Sequence, residues 1–359
     1  MHPAALRAHR FAERFGLRVP VLLAPMAGAC PPALSAAVAR AGGMAAMGAL
    51  LHDAAGITAW AGELRALLPG GPVPLQINLW IPDPEAARDA AHEAALRAFL
   101  GHFGPAVDAA AGGARPLAFA AQCEALLAAR PTAVSSIMGL YPLEFVARAR
   151  AAGVAWFANV TTVREARLAE EAGADVIVAQ GAEAGGHRGA FDASRALDEA
   201  VGLFALLPQV VDAVRVPVVA AGGIADARGV AAALMLGASA VQLGSAYLRC
   251  TEAGIAPAWA TALAGLAPED TRLTRAFSGR WGRALATDYV RAAAQGTAPE
   301  PAPYPVQRGL TAAMRKAAEA AGDVQRMQAW AGQGVGLSAG GGAGALTGSL
   351  WEGALGLLR

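Results

Sequence analysis

The sequence is poor in cysteine. Only three cysteines occur among 359 residues, and Cys30, Cys123 and Cys250 are far apart from one another. None belongs to a CxxC pattern, so neither a disulfide framework nor a zinc site is predicted, and no other metal site is expected. A reducing, cytoplasmic compartment fits this cysteine usage best.

The net charge of the chain is also small, and long apolar runs are few. The chain has 29 Lys and Arg against 28 Asp and Glu, a formal net charge of +1, and no basic block. Nucleic acid and a charged membrane surface are therefore not expected as partners. The uncharged stretch 229–248 is long enough to span a bilayer. Its glycine, serine and glutamine residues favour a buried helix followed by a buried strand instead.

What the chain does contain is a large apolar fraction, 55%, and one conspicuous glycine loop. The stretch 179–189 reads AQGAEAGGHRG and follows the apolar run 175–179, which is typical of a buried strand. Four glycines let the backbone approach a ligand closely, and they surround a single His187. An imidazole in such a loop is a candidate proton acceptor. A simple turn after a strand is the alternative.

Eight apolar segments alternate with helical segments along the first 250 residues. The predicted strands cover 21–26, 44–49, 74–79, 132–138, 154–160, 175–180, 216–221 and 239–244. This alternation predicts parallel strands with right-handed crossovers. Eight units favour an α/β fold of the closed (β/α)₈ TIM barrel type, and a doubly wound open sheet is the alternative.

Two regions depart from the simple repeat. Residues 80–115 form a longer insertion, in which Pro82-Asp83-Pro84 is predicted to start a helix that runs to about Leu100. Beyond residue 250 the pattern loosens. We therefore predict a barrel over 1–250 and a helical and loop extension over 251–359 that packs on the barrel and completes the same domain.

The predicted strand ends indicate the kind of ligand. In a barrel, the carboxyl ends of the strands build the site, and here they are rich in glycine and amides and poor in carboxylates. Such a set suits a large neutral ligand better than a metal or a pair of catalytic carboxylates. Gly222-Gly223 and Gly244-Ser245 follow the seventh and eighth strands, where barrels often bind phosphate. A phosphorylated cofactor is indicated, with flavin mononucleotide (FMN) the leading candidate; ordinary turns are the alternative.

Several motifs in the same order resemble the nitronate monooxygenase family, formerly called 2-nitropropane dioxygenases. They are APMAG at 24–28, AQGAEAGGHRG at 179–189, VPVVAAGGIAD at 217–226, AVQLGSAYL at 240–248, FSGR at 277–280 and WAGQG at 330–334. The resemblance covers residues 15 to 337. It implies a TIM barrel that binds FMN non-covalently and oxidises nitronates with O₂ to a carbonyl compound and nitrite.

The resemblance also implies individual roles. It implies a flavin ring contacted by Ala24, Pro25, Met26 and Asn78. It implies a ring or ribityl chain held by Gln180 and Gly185. It implies a phosphate held by Gly222, Gly223, Gln242, Gly244 and Ser245. His187 matches the catalytic histidine, a base expected to have a pKa close to neutral beside the apolar ring. Trp80 and Tyr304 are expected to shape the pocket or simply to pack.

One departure concerns the substrate. Many family members carry a second histidine at the end of the fourth strand, where this chain has Ile137 or Met138. The pocket is therefore expected to be more apolar than in those members, and the sequence leaves the substrate, and whether it is a nitronate, open. Alternatives are an NAD(P)H-dependent enoyl-thioester or quinone reductase on the same scaffold and a non-catalytic flavin-binding barrel. The sequence leaves the oligomeric state open.

Overall fold

A computed structural model describes residues 2–359 and contains a parallel eight-stranded barrel. The strands of the chain are β1 Val21–Leu23, β2 Ala45–Gly48, β3 Leu75–Trp80, β4 Ala133–Ile137, β5 Ala155–Val160, β6 Val176–Gln180, β7 Gly186–His187, β8 Val218–Ala221, β9 Ala240–Leu243, β10 Thr271–Thr274 and β11 Gly282–Leu285. Strands β1 to β6, β8 and β9 form the barrel. Each overlaps one of the eight predicted strands, so the TIM barrel prediction is confirmed.

The barrel closes between its first two strands. The ladder runs in the order β1-β9-β8-β6-β5-β4-β3-β2, and all of its neighbours are parallel. A parallel bridge between Leu22 and Met44 joins its two ends, with the N–H of Met44 donating to the carbonyl of Val21 at 3.0 Å. Because all eight strands are parallel and the sheet has no free edge, their carboxyl ends face one mouth of a closed barrel.

Helices connect the strands and cover the barrel. They are α1 Pro3–Arg14, α2 Pro32–Arg40, α3 Ala54–Leu67, α4 Ala90–Leu100, α5 Phe119–Ala128, α6 Leu143–Ala151, α7 Val163–Glu171, α8 Leu203–Ala213, α9 Ala227–Met235, α10 Pro257–Ala262, α11 Asp288–Ala293, α12 Val306–Leu310, α13 Ala312–Ala321 and α14 Ala343–Leu357. Polar side chains cap the first turn of several helices. At the start of α9, the side chain of Asp226 accepts a hydrogen bond from the N–H of Gly229 at 3.0 Å. Among residues 2–359, no helix combines the length and apolar character needed to cross a membrane.

The insertion after β3 differs from its prediction. Its helix, α4, begins at Ala90 rather than at Pro82, and the Asp89 carboxylate caps it by accepting from the N–H groups of Ala91 and His92. The prolines at 82 and 84 bias the residues before them toward extended backbone, so the segment between Ile81 and Asp89 stays without regular structure. This extended segment lies beside the mouth of the barrel.

The C-terminal extension contributes a small sheet as well as helices. Strands β10 and β11 form an antiparallel pair, and β7 adds to β11 with His187 opposite Gly282. The extension therefore reaches the glycine loop directly. Its last helix, α14, packs against α2 and α9 on the outside of the barrel. A second apolar cluster joins α4 to the extension through Leu100, Phe277 and Leu310.

Candidate active site

A cavity of about 370 Å³ opens at the carboxyl ends of the barrel strands. Its size lies within the range of small-molecule sites in proteins. It brings together all twelve residues that the sequence analysis selected: Ala24, Pro25, Met26, Asn78, Gln180, Gly185, His187, Gly222, Gly223, Gln242, Gly244 and Ser245.

Amide side chains form the floor of this cavity. Gln242 accepts a hydrogen bond from Gln76 at 3.0 Å, and Asn78 donates to the hydroxyl and the carbonyl of Ser135 at 3.1 Å. Gln180 donates to the carbonyl of His187 at 3.1 Å and accepts from the N–H of Gly189 at 2.9 Å. Gln180 therefore shapes the glycine loop as well as lining the cavity.

One amide on the floor was not among the selected residues. Asn159, at the end of β5, is buried, and its Nδ2 has no hydrogen-bond partner among the described residues. Because a buried donor without a partner costs about 1–3 kcal/mol, a ligand acceptor at this point would be stabilising. Asn159 lines the same cavity. Its position at a strand end was the only sequence signal for it.

Glycine backbone forms the opposite edge. Gly222 and Gly223 have φ values of +112° and +71°, which side-chain-bearing residues rarely adopt. Within residues 2–359, the N–H groups of Gly222, Gly223 and Gly244 make no hydrogen bond to the protein. They are therefore free to donate to an anion at the mouth of the barrel.

A turn of the extension completes this edge. The hydroxyl of Ser245 accepts from the N–H of Gly332 at 2.8 Å, and the N–H of Gln333 donates to the carbonyl of Glu183 at 2.9 Å. Gly334 lies against the carbonyl of Gly223, where a Cβ would collide with the oxygen. Gly332 and Gly334 of the WAGQG motif thus pack closely against the loops that follow β6, β8 and β9, where a side chain would collide with the backbone.

His187 lies at the centre of the cavity wall and is held from three sides. Its Nε2 lies 2.7 Å from Oγ of Ser278. Its ring packs against Trp80 and Trp330, with centroid separations of 4.6 Å to each. The Ser278 hydroxyl is 3.3 Å from the carbonyl of Arg280, to which it can donate. In that arrangement Nε2–H donates to Ser278, and Nδ1, which has no partner among the described residues, is the basic nitrogen.

The pKa of His187 differs from the expected near-neutral value. Burial lowers the pKa from 6.5 to about 3, and the positive charges of Arg280 and Arg308 add to the decrease. The imidazole is therefore neutral throughout the physiological range. A neutral ring can accept a proton, and an anionic ligand next to it would raise its pKa.

Three charged residues line the cavity, namely Arg308, Arg315 and Glu319. Arg315 donates to the side chain of Gln328 at 3.1 Å, and burial lowers its pKa to about 10. Arg308 also lines the cavity, and its guanidinium makes no hydrogen bond or ion pair among the described residues. Neither arginine was selected from the sequence, because nothing in the helical stretch around them distinguishes them from surface residues. The structure thus adds an unpaired cation to the cavity that contains His187.

The end of β4 resolves which residue replaces the second histidine. Ile137 lines the cavity, whereas Met138 is buried outside it, with its N–H donating to the carbonyl of Gly189 at 3.2 Å. Met138 has a φ of +69°, which is unusual for a residue with a side chain. Ile137 therefore contributes an apolar side chain to the lining of the cavity.

Comparison with known proteins gives a consistent result. The family model described as nitronate monooxygenase matches residues 9–351. A nitronate monooxygenase of Paraburkholderia phytofirmans is 39% identical over 90% of this chain and 88% of its own length. One of Pseudomonas aeruginosa is 40% identical over 92% of this chain and 94% of its own length.

A solved structure agrees with these relatives. Nitroalkane oxidase from Streptomyces ansochromogenes superposes with a TM-score of 0.87 at 37% identity, covering 96% of this chain and 98% of the other. The family match, the barrel and the arrangement of the motifs around one cavity lead to the same assignment. The chain belongs to the nitronate monooxygenase family.

Proposed function

We propose that the protein is an FMN-dependent nitronate monooxygenase that converts alkyl nitronates and O₂ into a carbonyl compound and nitrite. The observation that carries the proposal is the neutral imidazole of His187 in a cavity that also holds the unpaired guanidinium of Arg308. A nitronate is an anion, so the guanidinium attracts it while the imidazole remains free to take a proton.

The cavity suits FMN in shape and chemistry. The free N–H groups of Gly222, Gly223 and Gly244 would hold the phosphate. Asn78 and the unpartnered Nδ2 of Asn159 would bind polar atoms of the ring. When bound, FMN supplies the electron acceptor that the oxidation needs and passes the electrons on to O₂.

His187 acts on the substrate. We assign the proton acceptor role to Nδ1, because Nε2 is bound to Ser278. Nδ1 takes the α-proton of a nitroalkane or donates a hydrogen bond, once protonated, to a nitronate already formed. Trp80 and Trp330 flank the ring and hold it in place by packing against it.

We also propose that residues 251–359 complete the same domain as the barrel over 1–250. The support is the turn at 332–334, which packs on the loops after β6, β8 and β9 and would border the cofactor. We expect the reaction to take place without a membrane or nucleic-acid partner and in the cytoplasm.

Steady-state assays test the proposed function against its alternatives. We expect the yellow purified protein to release about one FMN per chain and to consume O₂ with propionate 3-nitronate or ethyl nitronate. A reductase on the same scaffold would instead oxidise NAD(P)H with a quinone or an enoyl thioester. A flavin-containing protein inactive in both assays would support the non-catalytic alternative.

A further inference from the structure

A second cavity, of about 490 Å³, adjoins the first. It lies between the extended segment after β3, the residues before α5 and the start of α12. Leu50 and Trp80 line both cavities, so these two side chains form the partition between them. The volume of the second cavity is within the size range of ligand sites.

Most of the side chains that line the second cavity are apolar. Its apolar lining comes from Leu50, Ile81, Pro82, Pro84, Ala86, Leu117, Phe119 and Val306. None of the buried, unpartnered side-chain polar atoms of residues 2–359 belongs to this lining. No buried polar atom of the lining therefore needs a hydrogen bond from a ligand. A ligand would gain binding energy mainly by burying apolar surface against the lining.

The four charged residues of its lining, Asp83, Glu85, Arg88 and Arg115, are ion-paired or exposed. Asp83 pairs with Arg280 at 2.7 Å, and Arg88 pairs with Glu93 through a 2.6 Å hydrogen bond. Glu85 and Arg115 are exposed. Because the paired charges are already neutralised and most of the lining side chains are apolar, the cavity suits a flexible hydrocarbon chain better than a charged ligand.

The partition connects this cavity to the proposed base. The ring of Trp80 lies between those of His187, at 4.6 Å, and Tyr304, at 5.4 Å, and Tyr304 lines the second cavity. A ligand whose head group reaches His187 lies next to Trp80. Its remaining atoms can extend past Trp80 and Leu50 into the second cavity.

We propose that the second cavity binds the alkyl chain of the substrate, so that the enzyme acts on nitronates with a long unbranched hydrocarbon chain. The inference rests on the proposed function and names its substrate class. The nitronate group binds beside His187 and Arg308, while the chain passes Trp80 and lies among the apolar side chains of the second cavity.

A chain-length series with the FMN holoenzyme tests this inference. Each methylene buried in an apolar site contributes roughly 0.8 kcal/mol, or about fourfold in kcat/KM. We expect kcat/KM to rise from ethyl through butyl and hexyl to octyl nitronate, by about tenfold or more in total. A kcat/KM that is flat or falls along the series would overturn the proposal.

A variant in the second cavity, remote from His187, identifies where the chain binds. Leu117→Asp places a carboxylate in the apolar lining, at a residue 41% exposed in the free protein. We expect about a tenfold lower kcat/KM for octyl nitronate and an unchanged value for ethyl nitronate. Leu143→Asp is the matched control, since Leu143 is 72% exposed and lines neither cavity. Equal losses for both substrates would refute the assignment of the chain to this cavity.

A binding measurement separates this inference from the proposed function. Acetate, butyrate and octanoate carry a planar anionic head like that of a nitronate but are not oxidised. Their dissociation constants can be measured from the flavin absorbance of the holoenzyme. We expect octanoate to bind at least about tenfold more tightly than acetate, and Leu117→Asp to remove the difference. Equal affinities would overturn the chain site, whereas tight octanoate binding without nitronate turnover would refute only the proposed function.

Discussion

Nε2 of His187 lies 2.7 Å from Oγ of Ser278, and the two residues are 91 positions apart in the chain. Ser278 belongs to the loop between β10 and β11, and β11 pairs with the strand that contains His187. The extension therefore orients the imidazole through both a backbone ladder and a side-chain hydrogen bond. The ring is oriented before any substrate arrives, which lowers the entropic cost of proton transfer.

The first prediction concerns this hydrogen bond. Ser278→Ala removes an interaction worth about 0.5–1.5 kcal/mol, so we expect kcat/KM for a nitronate to fall by up to about tenfold. FMN content should stay unchanged, and the imidazole resonances of His187 should shift in NMR spectra. Ser194→Ala, at an exposed turn, is the control. An unaltered kcat/KM in Ser278→Ala would show that the hydroxyl does not position the ring.

The second prediction concerns His187 itself. Because general bases typically contribute 10²–10⁴-fold, we expect His187→Ala to lower kcat/KM with a nitroalkane by about that factor. FMN should remain bound, since the glycine edge and the amide floor are untouched. The exposed His102 supplies a matched control, His102→Ala, for which activity should not change. Wild-type activity in His187→Ala would remove this residue from the mechanism.

The third prediction follows from the pKa of about 3 for His187, against 6.5 when exposed. Between these values the unfolded chain binds a proton at this residue and the folded chain does not. The free energy of unfolding therefore decreases as the pH falls from 6.5 toward 3. Relative to His187→Gln, the wild-type protein should lose stability between pH 7 and pH 5 in urea titrations. A difference that is constant over this range would contradict the low pKa.

The fourth prediction concerns the glycine edge. A Cβ on Gly185 would collide with the backbone N of Gly332 and come within 2.6 Å of the Ser245 hydroxyl. We expect Gly185→Ala to lower the free energy of unfolding by about 1–3 kcal/mol and to reduce the FMN content. In α3, Gly62 has no atom near the corresponding position, so Gly62→Ala should stabilise slightly. Full FMN occupancy in Gly185→Ala would show that this packing is not needed for the cofactor.

The fifth prediction concerns the ion pair that ties the insertion to the FSGR loop. Arg280 has only 4% of its side chain exposed, and its guanidinium lies 2.7 Å from the Asp83 carboxylate. Asp83→Asn leaves this buried cation without its counter-charge, so we expect a loss of about 2–3 kcal/mol in unfolding free energy. Glu124→Gln breaks an exposed pair with Arg148 and should cost less than about 1 kcal/mol. Similar effects of the two changes in thermal unfolding would contradict this ranking.

The sequence predicted the barrel because local apolar patterns determine it. Each strand is a short apolar run beside a helix, and the strand ends converge by topology alone, so Asn78 and Gly222 could be assigned to one mouth without a structure. Long-range pairing was not predictable in this way. Strand β7 has two residues and pairs with Gly282, far away in sequence, and no periodic pattern marks it.

The environment of individual side chains also could not be predicted from the sequence. The low pKa of His187 depends on burial and on Arg308, which lies on a helix of the extension. The start of α4 was misjudged because a proline often begins a helix, whereas Asp89 supplies the cap here. These differences arise where segments from distant parts of the chain meet.

The packing of Gly332 on Ser245 and of Gly334 on Gly223 also affects the order of events during biosynthesis. Translation produces the eight strands first, and the turn that borders the proposed phosphate site leaves the ribosome about 90 residues after β9. The barrel strands are therefore available for pairing before the turn at 332–334 can pack on the loops that follow β8 and β9. The edge that contains Gly222, Gly223 and Gly244 is thus completed by a segment that is translated well after the strands it borders.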